Sequence, residues 1–331
     1  MSLRNLKEII GQKPAITLLT RAIQKKQISH AYLFCGPKGV GKKTTARAFI
    51  YHLFCQINPE DPCGKCLSCQ KLDKNIHPDV YFIAPELRDI KIENIRAIER
   101  FLRTGPLEAP FKVIFMEKAE KLNPEAGNAL LKSLEEPPHY GLFLLITEKP
   151  YQILPTILSR TQIVRFRPLP IKSIKEYLIK CYQIEETLAQ SLAELSQGSL
   201  EIALEILDSG LLEELIAFIK ASAEKNIFQK LKVIDKLIKL DKNKLELFLN
   251  LLALWIWSSY LKRITQDFYP QALPEEIYQG NPYKALSQIS QTQSALEYFL
   301  NKELTFLILS KRLFSSLPEY SNSTHQSFPQ E

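Results

Sequence analysis

The chain has 331 residues, with 43 Lys and Arg against 36 Asp and Glu, and a formal net charge of +7. Hydrophobic residues make up 45% and charged residues 24%, a core-forming composition that excludes wholesale disorder, and the length predicts two or three domains. The mild excess of positive charge permits an acidic partner such as a phosphate backbone but does not require one.

Neither a membrane segment nor a secretory signal is predicted. The most apolar run, Leu247–Trp257, contains Asn250 and is shorter than the roughly 20 residues that a bilayer requires. The opening stretch Met1–Glu8 holds no long apolar run. We therefore expect a cytoplasmic protein with no membrane partner, whose six cysteines ligate metal or pack as thiols rather than form disulfides.

Strands and helices alternate over the first half of the chain. The short apolar run Ala31–Cys35 predicts a buried strand that stops at Gly36. Such alternation favours a mainly parallel sheet with helices on both faces. The further strands are predicted at Val80–Ala84, Lys112–Met116, Leu142–Thr147 and Gln162–Phe166, and the helices at Lys43–Phe54, Ile92–Arg103 and Pro124–Glu136.

Beyond about Pro168 only helical periodicity remains. The expected layout is a nucleotide-binding-like domain at residues 1–167, a small helical domain at 168–208 and a larger helical domain at 209–317. The last residues, 318–331, are rich in Ser, Asn, Gln and Pro, a composition that predicts a disordered tail.

A glycine-rich segment follows the first strand and matches most of a P-loop, G-x-x-x-x-G-K. Gly36, Gly39 and Gly41 would let backbone N–H groups turn inward around phosphates, and the start of the next helix adds positive potential. Lys42 would contact the terminal phosphates. The order of strand, loop and helix favours a P-loop over a coincidental glycine turn.

The catalytic parts of this P-loop are defective. Lys43 stands where Ser or Thr should hold Mg²⁺, and Thr44 is a poor substitute because one helical step rotates a side chain by about 100°. An active ATPase has Asp-Glu after the strand that here ends in Glu117-Lys118, and a protonated Lys118 cannot act as a general base. We expect weak or absent ATP or ADP binding, a defective Mg²⁺ site and no intrinsic ATPase activity.

Four cysteines form the pattern C-x₇-C-x₂-C-x₂-C: Cys55, Cys63, Cys66 and Cys69. Four thiolates complete a closed tetrahedral zinc site, which is structural because it leaves no open position. An iron–sulfur cluster and unbound thiols are the alternatives. A DNA-reading zinc module would need a recognition element that the short segment 55–69 does not offer.

Several motifs, in this order, resemble the AAA+ subunits of the bacterial replicative clamp loader. They are Asn5–Gln12, His30–Phe34, the P-loop, Asn128–Pro138 and Leu158–Arg160. The resemblance implies an α/β P-loop AAA+ domain with a parallel sheet, followed by a small helical lid domain and an all-α collar domain. It also implies a zinc module at the cysteine segment.

The resemblance further implies a hetero-pentameric loader that contains γ/τ and δ subunits and meets the sliding clamp and primed DNA as a complex. Ser159-Arg160-Thr161 corresponds to a Ser-Arg-Cys motif whose arginine acts in trans on ATP held by a γ/τ neighbour. Thr147 matches the polar residue that senses the γ-phosphate, and Glu201 stands where active subunits tend to carry an arginine.

Two readings follow from these motifs. The defects favour a non-hydrolysing subunit that supplies Arg160 as an arginine finger. The alternative is a catalytically active, γ/τ-like ATPase subunit. An intradomain ion pair is the alternative role for Arg160.

Overall fold

The computed structural model describes residues 3–84, 89–223, 227–265, 273, 278–297 and 301–314. The chain divides into two compact units: the first is Met1–Gln183 with Ser196–Ile202, and the second is Ile184–Leu195 with Ala203–Glu331. The three-domain layout expected from the sequence stays a prediction, and the tail predicted at 318–331 lies outside the described residues.

The first unit is built on a five-stranded sheet with the order β2-β3-β4-β1-β5. Every pairing is parallel. The register pairs Cys35, at the end of β1, with Thr147 on one side and Arg165 on the other, so the carboxyl ends of three strands meet beside Gly36. The strands are β1 (Ala31–Cys35), β2 (Val80–Ile83), β3 (Lys112–Met116), β4 (Gly141–Thr147) and β5 (Gln162–Arg165).

Helices connect the strands and cover both faces of the sheet. Asn123 and Pro124 are residue types that favour the start of a helix, and the Asn123 side chain accepts a hydrogen bond from Ala126 N at 2.8 Å, which caps the first turn of the helix predicted at Pro124. The helices of this unit are α1 (Lys13–Gln24), α2 (Lys42–Phe54), α3 (Leu67–Asp73), α4 (Ile92–Leu102), α5 (Pro124–Glu135), α6 (Pro155–Leu158) and α7 (Ile171–Tyr182).

Alternate residues of β1 enter two separate hydrophobic cores. Tyr32 and Phe34 pack in one core with residues of α1 and α2, whereas Leu33 packs in the other with residues of α4 and α5. Side chains on a strand alternate between its faces, so a strand that is apolar throughout must be covered on both sides. The predicted fold class, a parallel α/β sheet followed by a helical region, is confirmed.

Every regular element of the second unit is a helix, as far as its residues are described. Its core contains Phe218, Phe248 and Phe306, whose rings meet edge to face at centroid distances of 5.5 to 6.3 Å. No helix within the described ranges has the length and apolar character needed to cross a bilayer. The remaining helices are α8 (Glu186–Leu195), α9 (Leu200–Ser209), whose first residues belong to the first unit, α10 (Leu211–Ala223), α11 (Ile227–Leu237), α12 (Lys242–Thr265), α13 (Pro282–Glu297) and α14 (Lys302–Phe314).

Candidate nucleotide site and cysteine module

The glycine-rich loop has a backbone conformation that favours glycine at three positions. Gly36, Gly39 and Gly41 all have positive φ angles, a region that side-chain-bearing residues rarely adopt. A Cβ atom at Gly36 would lie 2.4 Å from Phe166 O, and one at Gly39 would lie 2.0 Å from Ser199 Oγ. The loop therefore has the sharp turns and close backbone approaches that the P-loop interpretation requires.

Lys42 begins α2 and is held inside this loop. Its side chain is buried, and its Nζ donates to Gly36 O at 2.7 Å and to Pro37 O at 2.5 Å. Burial lowers the pKa of Lys42, while nearby carboxylates, Glu148 foremost, oppose that shift by favouring the charged form. The predicted phosphate-contacting ammonium thus lies at the centre of the loop.

The two residues that should flank Mg²⁺ are instead paired with each other. Lys43 Nζ lies 2.6 Å from Glu117 Oε1, and Glu117 follows the last residue of β3. The Lys43 side chain is 57% exposed and that of Glu117 is 23% exposed. Thr44 lies one residue further along α2 and is half-buried. An ammonium group therefore lies next to the carboxylate that a divalent cation would need.

Thr147 lies at the carboxyl edge of the sheet, next to the glycine-rich loop. It is the last residue of β4 and is buried. Its carbonyl oxygen accepts from Gly36 N at 3.4 Å, and its Oγ1 accepts from Lys149 N at 3.0 Å. The structure thus brings the predicted sensor position next to the first glycine of the loop.

The segment around Glu201 contacts the tip of the loop, which the sequence did not predict. Leu200 N donates to Gly39 O at 3.1 Å, and Lys38 Nζ lies 3.2 Å from Glu201 Oε1. The carboxylate that stands in place of an arginine is therefore paired with a lysine of the loop.

Gln12 is a second residue whose role the sequence did not reveal. This buried side chain donates through Nε2 to Val40 O at 3.2 Å and to Arg167 O at 2.7 Å, and its Oε1 accepts from Arg167 N at 3.2 Å. These hydrogen bonds connect the loop to the second residue after β5. The only sequence signal was its place at the end of the Asn5–Gln12 motif.

Arg160 lies just after α6 and forms an ion pair within its own unit. Its Nη2 is 2.7 Å from Glu135 Oε1, and its Nη1 donates to Thr156 O at 3.0 Å. The side chain nevertheless remains 35% exposed. The ion pair expected under the alternative role exists, and it leaves the guanidinium accessible at the surface.

The four cysteines converge as their spacing predicts. Their sulfur atoms all lie within 4.8 Å of one another, and Cys55 Sγ is 3.6 Å from Cys63 Sγ. Tetrahedral ligands at about 2.3 Å from zinc would be about 3.8 Å apart, so Cys55, Cys63, Cys66 and Cys69 are close enough to bind a metal ion. Cys35 and Cys181 are not part of this cluster.

Backbone amides point at the cysteine sulfurs. Lys65 N and Cys66 N each donate to Cys63 Sγ at 3.4 Å, and these bonds lower the pKa of Cys63 to about 6. Burial instead raises the pKa of Cys69. Amide donors stabilise thiolates, the form in which cysteine ligates metal.

Two buried histidines near the module use both ring nitrogens for other bonds. His52 accepts from Leu6 N at 3.2 Å through Nε2 and donates through Nδ1 to Pro59 O at 2.6 Å. His77 accepts from Asp79 N at 3.2 Å through Nδ1, and its Nε2 is 3.1 Å from Ser68 Oγ. Burial lowers the pKa of both rings. Because their ring nitrogens are engaged in these bonds, the two histidines hold neighbouring segments together and are not candidate metal ligands.

The chain is similar to a described protein family and to individual known proteins. Residues 11–170 match the family described as DNA polymerase III, delta subunit. DNA polymerase III subunit delta′ of Bacillus subtilis is 37% identical over 191 residues, which cover 57% of this chain and 57% of that relative. DNA polymerase III subunit tau of the same organism is 32% identical over 214 residues, which cover 63% of this chain and 38% of the relative.

Among solved structures, a DNA polymerase III gamma subunit-related protein of Thermotoga maritima aligns with a TM-score of 0.48 and 20% identity. The alignment covers 91% of this chain and 98% of that one. The chain spans less than two thirds of the length of both Bacillus subtilis relatives.

Proposed function

We propose that the chain is a delta′-type subunit of a bacterial clamp loader, because residues 11–170 match the family described as DNA polymerase III, delta subunit. In this proposal it is a cytoplasmic component of the DNA polymerase III holoenzyme and assembles with γ/τ and δ subunits. The complex, rather than this chain alone, meets the sliding clamp and primed DNA.

One observation carries the choice of a non-hydrolysing subunit. The Lys43 ammonium lies 2.6 Å from the Glu117 carboxylate, between the two elements that hold Mg²⁺ in phosphoryl-transferring P-loop proteins. A divalent cation there would have to displace one positive charge and approach a second on Lys42. Lys118, which follows, offers no general base. We therefore expect no ATP turnover by the isolated chain.

The second part of the proposal is that Arg160 acts in trans as an arginine finger. Two features support it: the guanidinium is partly exposed, and Glu135 holds it in one orientation at the surface. A guanidinium is always charged and engages phosphate oxygens through a planar fork. In a neighbouring γ/τ subunit it would stabilise charge on the transferred phosphoryl group.

The third part is that the cysteine module holds one structural Zn²⁺. The sulfur separations and the amide donors support a closed thiolate site, and zinc is the metal that most often occupies such sites in proteins. The metal would stabilise the segment between α2 and α3 and take no part in ATP chemistry.

The proposal is tested in a loader reconstituted from γ/τ, δ and this chain. Arg160→Ala should leave assembly intact while clamp- and DNA-stimulated turnover falls about a thousandfold at the adjoining γ/τ site. Arg103→Ala, a change to another exposed arginine, is the matched control and should have no effect. Unchanged turnover with Arg160→Ala would contradict the finger role.

A γ/τ-like active ATPase is the second candidate, since subunit tau of Bacillus subtilis also matches 63% of the chain. The two candidates differ in the behaviour of the chain alone. Mg²⁺-dependent ATP hydrolysis by the purified chain, lost with Lys42→Ala, would favour this second function over the first.

A further inference from the structure

A groove of about 620 Å³ lies between α1 and the start of β5. Its floor is apolar and includes Pro14, Leu18 and Ala22, which recur every fourth residue along one side of α1. Gln162, the first residue of β5, lines the opposite side and is exposed. None of the described residues that line the groove belongs to the glycine-rich loop, so the groove is separate from the candidate nucleotide site.

The rim of the groove is positively charged. Lys13, Arg21 and Lys25 line it and are exposed, and within the described part of the chain their side chains have no ion-pair or hydrogen-bonding partner. The sequence has no Asp or Glu at residues 9–59 or 149–175, the two stretches that supply the groove. Because this charge is not compensated locally, the groove is complementary to an acidic ligand.

Strand β5 has a free outer edge, because it is the last strand in the order of the sheet. Phe166 N donates to Cys35 O at 2.8 Å, so the even-numbered residues of this segment direct their backbone groups at β1, whereas Ile163 and Arg165 direct theirs outward. These outward groups have no hydrogen-bonding partner among the described residues. An edge of this kind can pair with a further extended segment.

The side chain of Gln12 already pairs with this edge as a peptide group would. Its Nε2 donates to Arg167 O at 2.7 Å, and its Oε1 accepts from Arg167 N at 3.2 Å. The next outward positions along the edge are Arg165 and Ile163. We therefore expect them to be able to form the same pair of hydrogen bonds with the main chain of a bound peptide.

An extended peptide suits these features better than a nucleic acid does. Proteins that hold single strands use aromatic side chains on which the bases stack, and none of the described residues that line the groove is aromatic. A peptide would supply main-chain hydrogen bonds to β5, apolar side chains for the floor, and carboxylates for the basic residues. Arg165 and Arg167, which are both exposed, add positive charge at alternate positions of the same edge.

We propose that the outer edge of β5 binds an extended acidic segment of a partner protein, which adds a strand to the sheet and places its apolar side chains in the groove beside α1. Acidic and apolar residues would alternate along the segment, because successive side chains of a strand point to opposite faces. The inference goes beyond the proposed function, which gives this edge no role.

The test is fluorescence anisotropy of the full chain with labelled peptides of about eight residues. The probe alternates Glu with Val, and a peptide that alternates Lys with Val is the control for charge. We expect saturable binding of the Glu-Val peptide that added salt weakens, and no binding of the Lys-Val peptide. Arg21→Glu combined with Lys25→Glu should weaken binding about tenfold or more, whereas Lys172→Glu, on α7 and outside the groove, should leave it unchanged.

Backbone pairing is tested separately from charge. Ile163→Pro removes an outward N–H group while the hydrogen bonds from β5 to β1 remain, and it should weaken binding about fivefold, the effect of losing one hydrogen bond. A Glu-Val peptide that is N-methylated at alternate residues keeps every charge but loses main-chain donors, so it should also bind more weakly. This second measurement does not depend on the folding of a variant, and thermal melts identify any variant that fails to fold.

The inference would be overturned by an absence of saturable binding of the Glu-Val peptide, or by binding that Arg21→Glu with Lys25→Glu leaves unchanged. Undiminished binding of the N-methylated peptide would exclude pairing with β5. Tighter binding of oligothymidylate, lost with the same two changes, would assign the groove to nucleic acid instead. The titration needs no partner subunit, so failure to assemble with γ/τ and δ would contradict the proposed function and leave this inference standing.

Discussion

The guanidinium of Arg160 lies 2.7 Å from the carboxylate of Glu135, the last residue of α5. The pair joins the end of the Asn128–Pro138 segment to the Leu158–Arg160 segment. Both side chains are partly exposed, so the pair adds little to the stability of the fold. Its consequence is geometric, because it restricts the orientations that the guanidinium can adopt.

The first prediction concerns this restraint. Glu135→Gln removes the charge and should change the free energy of unfolding by less than about 0.5 kcal/mol. In the reconstituted loader it should lower turnover severalfold, a smaller loss than with Arg160→Ala, because the guanidinium is still present but less well oriented. Glu176→Gln, which breaks the exposed pair with Lys172, is the control. Full turnover with Glu135→Gln would show that Glu135 does not position Arg160.

The second prediction concerns the cysteine module. Elemental analysis of the purified chain should find one zinc per molecule. Cys66→Ser should remove it and lower the melting temperature by several degrees, because binding energy at a structural site is also folding energy. Cys181→Ser, at an exposed thiol outside the cluster, should retain both zinc and melting temperature. A folded chain that contains no metal would disprove the zinc assignment.

The third prediction compares two loop glycines. Gly39→Ala and Gly41→Ala impose similar backbone strain, since both residues have positive φ. A Cβ atom at Gly39 would also lie 2.0 Å from Ser199 Oγ and 2.7 Å from Glu201 Cβ, whereas one at Gly41 would meet nothing within 4 Å. Urea unfolding should show a loss of about 1–2 kcal/mol for Gly41→Ala and about 3 kcal/mol for Gly39→Ala. Equal losses would argue against the contact between Gly39 and the 196–202 segment.

The fourth prediction is a dependence of stability on pH. Burial lowers the pKa of His52 below the ordinary value of 6.5, so the unfolded chain binds a proton more readily than the folded one. The stability that neutral His52 contributes is fully present above pH 6.5 and is lost as pH falls toward the lower folded pKa. Urea titrations at pH 7.5 and 5.5 should show this loss. His52→Gln, which does not titrate, should reduce the difference between the two pH values, and an unaltered difference would exclude His52 as a cause.

Much of the fold could be predicted because its signals are local. The strand Lys112–Met116 was predicted with its observed bounds, since a run of apolar residues needs no knowledge of its partners. Asn123 and Pro124 marked the start of α5 for the same reason. The helix Lys13–Gln24 was not predicted, although Ala15 and Leu19, the residues it buries, are four positions apart, as on one face of a helix.

The candidate site contains both local and non-local features. The loop glycines, Lys42 and the four cysteines could be recognised from the sequence, because their spacing within a short segment indicates a P-loop and a metal site. The pairs Lys43–Glu117, Lys38–Glu201 and Glu135–Arg160 join distant parts of the chain, and neither member of a pair indicates its partner. Only the packed sheet brings their charges together.

The strand order has a consequence for synthesis. Strand β1, which leads into the phosphate loop, has β4 and β5 as its two neighbours, and these are the last two strands of the sheet to leave a ribosome. Until β4 and β5 have been translated, both edges of β1 lack their hydrogen-bonding partners. The Arg167 backbone that Gln12 binds is translated later still. The phosphate loop is thus among the earliest segments translated and among the last to acquire its final shape.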